Sequence, residues 1–577
     1  MPIVTIIIVI LFFAAALSAV NSREILKKEI DIVFDRNDLI IVAVLTCFTA
    51  VLSFWHLGNA KAPQEFVRLD STNHINVCAS EDTYVSEILF YLGQCPDALY
   101  TVVGVDDAGN ERESFFISHA YTSNFVWERL DVKGERLYKE FNIYTEDSGN
   151  IGEIALIDID GNVISSTCNE DILCDDGDIL CLESTYENST YFDEIYYVRT
   201  AWEMDNRIYP YENTHPPLGK ILILLGTKIF GLNPFGWRFM GTLFGVLLVP
   251  LMYAFIRLLT KQRNVCICTT LLLMFDLMRF SQSRLTTIDT YAVFFSLLMF
   301  LLMYLYILTD KVKWLIACGI AFGLGISTKW TCFYAGAGLA VIWAGYWVVN
   351  YKKGFKAFCI NSGICVLSFI VAPALICYLT YIPYALSENI YNPLSVDYLK
   401  VVTDNIKSMY SYHSNLESTH PYSSVWYQWL FNIRPILYYA RYPKDGVRNV
   451  IMAMLNPIVC WAGLCAIIVT SVCAVVKKDI RAIIISVGYW ANLVPWILVT
   501  RCTFEYHYFT SAMFLILAIG YCFEMMWKGK WYQKYMIYVV TAMCIVLFIC
   551  FYPVVSGTDL HESFRVGFIH WMDSWPF

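Results

Sequence analysis

Long apolar runs separated by short basic loops fill most of the chain, and one polar stretch near the start interrupts them. Runs able to cross a hydrocarbon layer of roughly 30 Å recur at 4–20, 38–57, 238–258, 264–280, 287–308, 314–328, 331–350, 357–379, 448–475, 482–500, 507–526 and 535–554. They predict about twelve transmembrane helices. Taken alternately, one set of connecting loops carries Arg23, Lys27, Lys28 and Arg36; Arg257, Lys261 and Arg263; Lys311 and Lys313; Lys352, Lys353 and Lys356; Lys477, Lys478 and Arg481; and Lys528, Lys530 and Lys534. Basic loops stay on the cytoplasmic side, which puts both termini, the interrupting stretch and the loop at 380–446 outside. The small residues Ala16, Ser18 and Ala19 also fit the end of a cleaved leader. Cleavage there would leave Arg23, Lys27 and Lys28 on the wrong side.

Residues 59–190 alternate with the period of two that marks half-buried strands. Strands are expected at 74–79, 99–105, 115–119, 125–132, 140–145 and 154–159, and Asp160-Gly161 ahead of Val163-Ile164 is a hairpin signal. Short strands and turns at this spacing predict an antiparallel β-sandwich. The expected organisation is two N-terminal helices at 1–58, the β-sandwich at 59–190, and a membrane domain at 191–577 with outer loops 191–237 and 380–446.

Composition sharpens that division. Of 577 residues, 57% are hydrophobic and 16% charged, which excludes an ordinary soluble enzyme. The net charge of −9 hides two parts: residues 59–213 hold 31 acidic and 9 basic residues, a net of −22, leaving +13 elsewhere. No basic stripe with interleaved aromatics occurs in the polar part, so nucleic acid is not expected as a partner. Cys78, Cys95, Cys168, Cys174 and Cys181 lie in this module, an odd number for complete pairing, and their spacing does not suggest zinc. Asn188-Ser189-Thr190 is a glycosylation sequon.

Candidate chemistry gathers in the loops assigned to the outer side. Asp193 and Glu194 follow the module directly, and adjacent helical residues cannot share a face, so one can reach a site while the other meets a cation. His215 and Lys220 come next. Asp276, Arg279, Arg284 and Asp289 then surround a short outer connection, Lys329 follows Ser327-Thr328, and His420, Tyr422, Trp426, Arg434 and Tyr438 lie in the late loop. Arg501 and His507 open a further helix. Interfacial anchoring accounts for the Trp, Tyr, Lys and Arg residues. It does not account for acid, base and cation types all collecting on one side.

Six segments carry a resemblance: Phe192-Asp193-Glu194; His215-Pro-Pro-Leu-Gly-Lys220; Ser283-Arg284 with Asp289 and Phe294-Phe295; Ser327-Thr-Lys-Trp330; His420-Pro-Tyr-Ser-Ser424 with Arg434-Pro435; and Arg501 before Tyr506-His-Tyr-Phe509. In this order they resemble the protein O-mannosyltransferase family, over about residues 38–577 apart from the inserted module. The strand ends of the module resemble a galactose-binding jelly roll. The family resemblance implies a polytopic GT-C fold with eleven spans, the helix at 4–20 being extra. It implies transfer of a sugar, expected to be mannose, from a polyprenyl- or dolichyl-phosphate donor to a hydroxyl acceptor outside the cytoplasm. Eukaryotic members carry a β-trefoil domain in the late outer loop, for which 380–446 is too short. The arrangement resembles bacterial relatives and implies a bacterial cell membrane.

The chemistry assigns roles. An alcohol needs a base as it attacks the anomeric carbon, and Asp193 is the first candidate, with Glu194 in support. A lipid phosphate leaving group needs cations rather than an acid; Arg284, Lys220, Arg501, His215 and Lys329 are the candidates. Asp289, His420, Tyr422, Trp426, Arg434 and His507 are candidates for contacts to sugar or acceptor. No Gly-rich phosphate loop calls for a nucleotide. No cofactor is required; a divalent metal could replace one cation, but no ligand spacing points to it. The donor lipid, membrane lipid and a protein or glycan acceptor are the expected partners, and the sequence leaves oligomeric state open. A cell-wall polymer or glycolipid acceptor remains an alternative. A transporter would need broken helices or polar residues at mid-bilayer, and a scaffold would leave six catalytic-type segments unused.

Overall fold

The structure, a computed structural model, describes residues 1–20, 34–80 and 83–577. The basic loop residues Arg23, Lys27 and Lys28 lie outside them. The described chain divides into two compact units, a β unit of residues 56–212 and 220–240 and a helical unit of 1–55, 213–219 and 241–577.

Two antiparallel sheets form the β unit. Strands β1 (Val67–Asp70), β2 (Ile75–Ala79), β3 (Val85–Leu92), β4 (Asp97–Val105), β5 (Glu111–Ala120), β6 (Val126–Asp131), β7 (Glu140–Thr145) and β8 (Ser148–Asp158) are followed by the short β9 (Val163–Ile164) and β10 (Ser166–Cys168). The order is β1-β8-β3-β6, with β9 beside β8, in one sheet and β10-β2-β7-β4-β5 in the other. Ile88, Phe90, Ile154 and Leu156 of the first share a core with Val102, Tyr100, Phe141 and Ile143 of the second, all 1% exposed or less. Strand β3 escapes the alternation rule because seven of its eight residues are buried; a strand covered on both faces shows no period of two. The segment after β10 meets the free edge of the first sheet at β6: Ser184 accepts from the Trp127 amide and donates to its carbonyl. Cys168 and Cys174 form a disulfide, which excludes them as thiolate metal ligands. The sequon is folded inward, with Asn188 8% exposed and its amide donating to the Glu183 carbonyl.

In the helical unit, ten helices among the described residues are long and apolar enough to span a membrane, eleven with one bent pair counted. Val312–Ile326 adds a shorter apolar helix, so each of the twelve predicted runs contains one. The protein is a polytopic integral membrane protein with a β-rich insert. Phe509–Trp527 is nearly all buried at the centre, while Val348, Val349, Leu367 and Ile370 are exposed by 61–79%, as lipid-facing positions require. Pro2–Val20 packs Phe12 and Ala16 fully into this core, edge-on to Phe523.

Two predicted spans need correction. The run at 264–280 breaks by 52° between Arg263–Met274 and Leu277–Arg284. At the break Asp276 accepts from the Arg279 amide at 3.0 Å and the Asn456 amide at 2.9 Å, so a buried cap begins a new helix. The run at 448–475 starts as a strand: β12 (Val447–Ala453) lies between β11 (Ile436–Lys444) and β13 (Asp559–His561), and the helix begins at Pro457. Hydropathy alone does not separate a buried strand from the helix that continues it.

Candidate functional site

A cavity of about 790 Å³ in the helical unit joins four segments distant in sequence: His215, the 329–334 turn, the 413–418 helix end and the 496–502 connection. Hydrogen bonds join three of these segments. Tyr381 donates its hydroxyl to Asn405 Oδ1 at 2.9 Å, and Asn405 Nδ2 donates to the Asn213 carbonyl at 3.0 Å. His413 Nε2 lies 2.8 Å from the Thr214 carbonyl. The Leu218 amide donates to the Ser327 carbonyl at 3.0 Å, joining this segment to the turn before Lys329. Gly219 permits that approach, since a Cβ there would meet Ile288 Cγ2 at 2.5 Å.

Lys329 and Arg501 give the cavity its cationic character, and His215 lines it beside them. Lys329 Nζ donates to Asp289 Oδ1 at 2.7 Å and sits 5.6 Å from the centre of the Tyr506 ring. The His215 and His413 rings stand edge to face at 5.2 Å. Burial, followed by the neighbouring His215, holds His413 down at about 4. A neutral ring that donates from Nε2 to a carbonyl keeps a lone pair on Nδ1, and Nδ1 has no hydrogen-bond partner among the described residues. The wall therefore offers cations for an anion. Asp289, Tyr506 and His507 line a small adjoining pocket bounded by Thr331, Tyr334 and Trp496, which also line the main cavity. The His507 ring stacks 4.5 Å from Tyr506.

Other predicted site residues lie elsewhere. Arg284 is outside the cavity wall, its guanidinium 4.7 Å from the Phe280 ring centre and only 6% of the residue exposed. His420 packs against Phe504 at 5.0 Å and accepts from the Tyr422 amide, and Arg434 donates to the Pro421 carbonyl at 2.6 Å. These three hold the late loop together, and Trp426 opens a short helix beside them. None of the four lines the cavity. His413 and Glu417, which do, escaped the sequence reading because they lie at the end of an amphipathic helix without a recognisable motif.

In the β unit, Asp193 and Glu194 have different surroundings. Glu194 is fully buried and takes both arms of Arg238 at 2.7 Å, while Arg238 also donates to the carbonyls of Leu57, Tyr186 and Ser189. Glu194 is thus the member of the pair that meets a cation. Asp193, half-buried, caps the Glu194–Asp205 helix with its backbone and not with its carboxylate. It follows Phe192, whose φ of +51° is strained for an aromatic residue and sets the direction of the turn. The buried ammonium of Lys220 donates to Glu212 Oε2 at 2.7 Å and to the Glu212 carbonyl at 2.8 Å. A different acidic group is present in this unit, where Glu153, Asp175 and Asp176 bring carboxylate oxygens within 4.8 Å of one another.

Family comparison settles what kind of protein carries this arrangement. Residues 179–399 match the family described as dolichyl-phosphate-mannose-protein mannosyltransferase, and residues 398–575 match the C-terminal four-transmembrane region of protein-O-mannosyltransferase. The chain belongs to the protein O-mannosyltransferase family. Among its relatives in this family, a polyprenol-phosphate-mannose–protein mannosyltransferase of Mycobacterium tuberculosis is 25% identical over 67% of this chain and 86% of its own length. One of the same name from Corynebacterium glutamicum is 24% identical over 68% and 89%. The S. cerevisiae protein O-mannosyltransferase Pmt1–Pmt2 complex bound to the sugar donor shares the fold with a TM-score of 0.59 at 14% identity, covering 68% of this chain and 90% of that one. Both family matches begin after the strands of the β unit, so the module is a feature of this chain outside the matched regions.

Proposed function

We propose that this protein transfers mannose from a polyprenyl-phosphate donor to a hydroxyl of a protein acceptor on the extracytoplasmic side of a bacterial cell membrane. The membrane fold and the family both make it a lipid-phosphate-sugar-dependent glycosyltransferase. The acceptor class follows the names of the mycobacterial and corynebacterial relatives. The side of the membrane follows the basic loops.

The cavity of the helical unit carries the reading, because it sets Lys329 and Arg501 around one volume with His215 beside them. In the reaction, the acceptor oxygen bonds to the anomeric carbon as the bond from that carbon to phosphate oxygen breaks. The electron pair leaves with the lipid phosphate, and Arg501 with Lys329 holds its charge, Arg501 through a two-pronged grip that an ammonium cannot make. Asp193 accepts the hydroxyl proton and favours the positive charge developing on the sugar. Asp289 keeps Lys329 oriented. Purified protein in nanodiscs, given polyprenyl-phosphate mannose and a Ser/Thr peptide, tests this: a peptide gaining one hexose supports it, and no gain with an active donor preparation refutes it.

A further inference from the structure

Helix Val396–Asn415 of the helical unit presents three faces. Tyr398, Val401, Val402, Asn405 and Met409 are buried against the unit, and Asp397, Lys400, Asp404 and Lys407 form an exposed polar face. The third face is an exposed apolar stripe. Val396, Leu399, Ile406 and Tyr410 are 81%, 50%, 36% and 68% exposed, and Thr403 completes the alternate spacing of three and four that marks one side of a helix. Leu394, just ahead of the helix, is 91% exposed. Single exposed apolar residues are ordinary on a surface that meets water, but a continuous stripe of them marks a partner.

The position of the helix decides the partner. It follows the span Phe355–Ser387, whose basic end carries Lys352, Lys353 and Lys356. About 20 residues cross the hydrocarbon layer, so counting from Lys356 puts the far boundary near Ile376. At that level the Tyr378 hydroxyl donates to the Pro393 carbonyl at 2.6 Å, the Tyr398 hydroxyl donates to the Tyr378 carbonyl at 2.7 Å, and the two rings pack at 4.7 Å. The helix therefore starts at the boundary, tied to a stretch whose Leu375, Leu379 and Ile382 face lipid and are exposed by 42–56%. Tyr391 ahead of it and Tyr410 and Tyr412 near its end are exposed aromatics of the type that collects at headgroup level. On the polar face Lys400 and Lys407 balance Asp397 and Asp404, so no net charge selects a charged protein partner. We infer that helix Val396–Asn415 lies along the bilayer interface, its apolar stripe among the acyl chains and its charged face in water. Its last turn carries His413, which lines the large cavity of the helical unit. One wall of that cavity is thereby held at headgroup depth, where a lipid phosphate lies; this consequence rests on the proposed function, and the placement of the helix does not.

Site-specific photocrosslinking of the full-length protein in phosphatidylcholine nanodiscs tests the placement, without donor or acceptor. p-Benzoylphenylalanine in place of Leu399 or Ile406, both exposed, should give lipid adducts by mass spectrometry at least tenfold more often than the same probe in place of Asp404 or Ser411 on the polar side. Equal yields from the two sides, or no lipid adduct from the stripe, overturn the inference, as does crosslinking of the stripe to a second copy of the chain in place of lipid. The unaltered protein supplies a check that needs no foreign residue. Tyr410 and Tyr442 are both 68% exposed, and hydroxyl-radical footprinting in the same nanodiscs should oxidise Tyr410 at least fivefold more slowly, because acyl chains cover it. Tyr410 oxidised as fast as Tyr442, or faster, overturns the inference. Loss of mannosyl transfer with lipid adducts on the stripe would count against the proposed function and not against the placement of the helix.

Discussion

Arg238 and Glu194 show how neighbouring residues of one motif divide their work. Both are almost wholly buried and joined by two bonds, and removing one partner would leave an uncompensated buried charge, which costs about 3–5 kcal/mol. Arg238→Leu should therefore abolish folding of the β unit by near-UV circular dichroism, whereas Asp193→Asn should leave that spectrum intact. Arg501→Ala is expected to raise the KM for the lipid donor tenfold or more and leave that for the peptide within about threefold, measured by initial rates. Glu153 supplies a pH test. It is 1% exposed, and burial, more than the nearby Asp176 and Asp175, pushes its carboxyl up to about 8. The folded chain then keeps a proton that the unfolded chain releases near 4.5, so this site's contribution is complete at pH 4 and lost as pH rises towards 8. Glu153→Gln should raise the melting temperature at pH 9 and change it little at pH 5. At this scale the sequence revealed residue types and not their partners. The pairing of Lys220 with Glu212, eight positions back, left no sign in the sequence, and His413 looked like an ordinary helical residue.

Among the elements, the spans were legible because lipid demands twenty apolar residues in a row, and that demand leaves few alternatives. What escaped were the places where protein covers the backbone in place of lipid. Strand β12 reads as part of the following helix since both are apolar, and β3 lacks alternation because it is covered on two sides. The break at Asp276 was visible only as an acid in an apolar run. Its carboxylate fastens the two half-helices and the start of Pro457–Val476 through the Arg279 and Asn456 amides. Asp276→Leu removes both bonds at one buried point, so a loss of about 2–4 kcal/mol is expected, seen as a lower melting temperature of the purified protein. A melting temperature equal to wild type would contradict the role given to this cap.

At the scale of the whole molecule, the division into an acidic module and a basic membrane part was legible from charge alone, and the six ordered segments pointed to the family. The grouping of His215, Lys329 and Arg501 was not, because it depends on how four segments up to 286 residues apart meet. The β unit has its own core, and its chain enters and leaves at neighbouring points, the Asn59 amide donating to the Glu187 carbonyl at 2.7 Å. Replacing residues 62–186 by a short Gly/Ser linker is therefore expected to leave a membrane bundle that purifies as a single species by size-exclusion chromatography; aggregation would contradict an independent module. The central claim is that a carboxylate just beyond this module accepts the proton in mannosyl transfer. Mass spectrometry of a Ser/Thr peptide incubated with polyprenyl-phosphate mannose and either wild-type or Asp193→Asn protein tests it most directly. The account predicts one added hexose with wild type and a rate lower by about 10²–10⁴-fold with the variant; equal rates from a folded variant would contradict it.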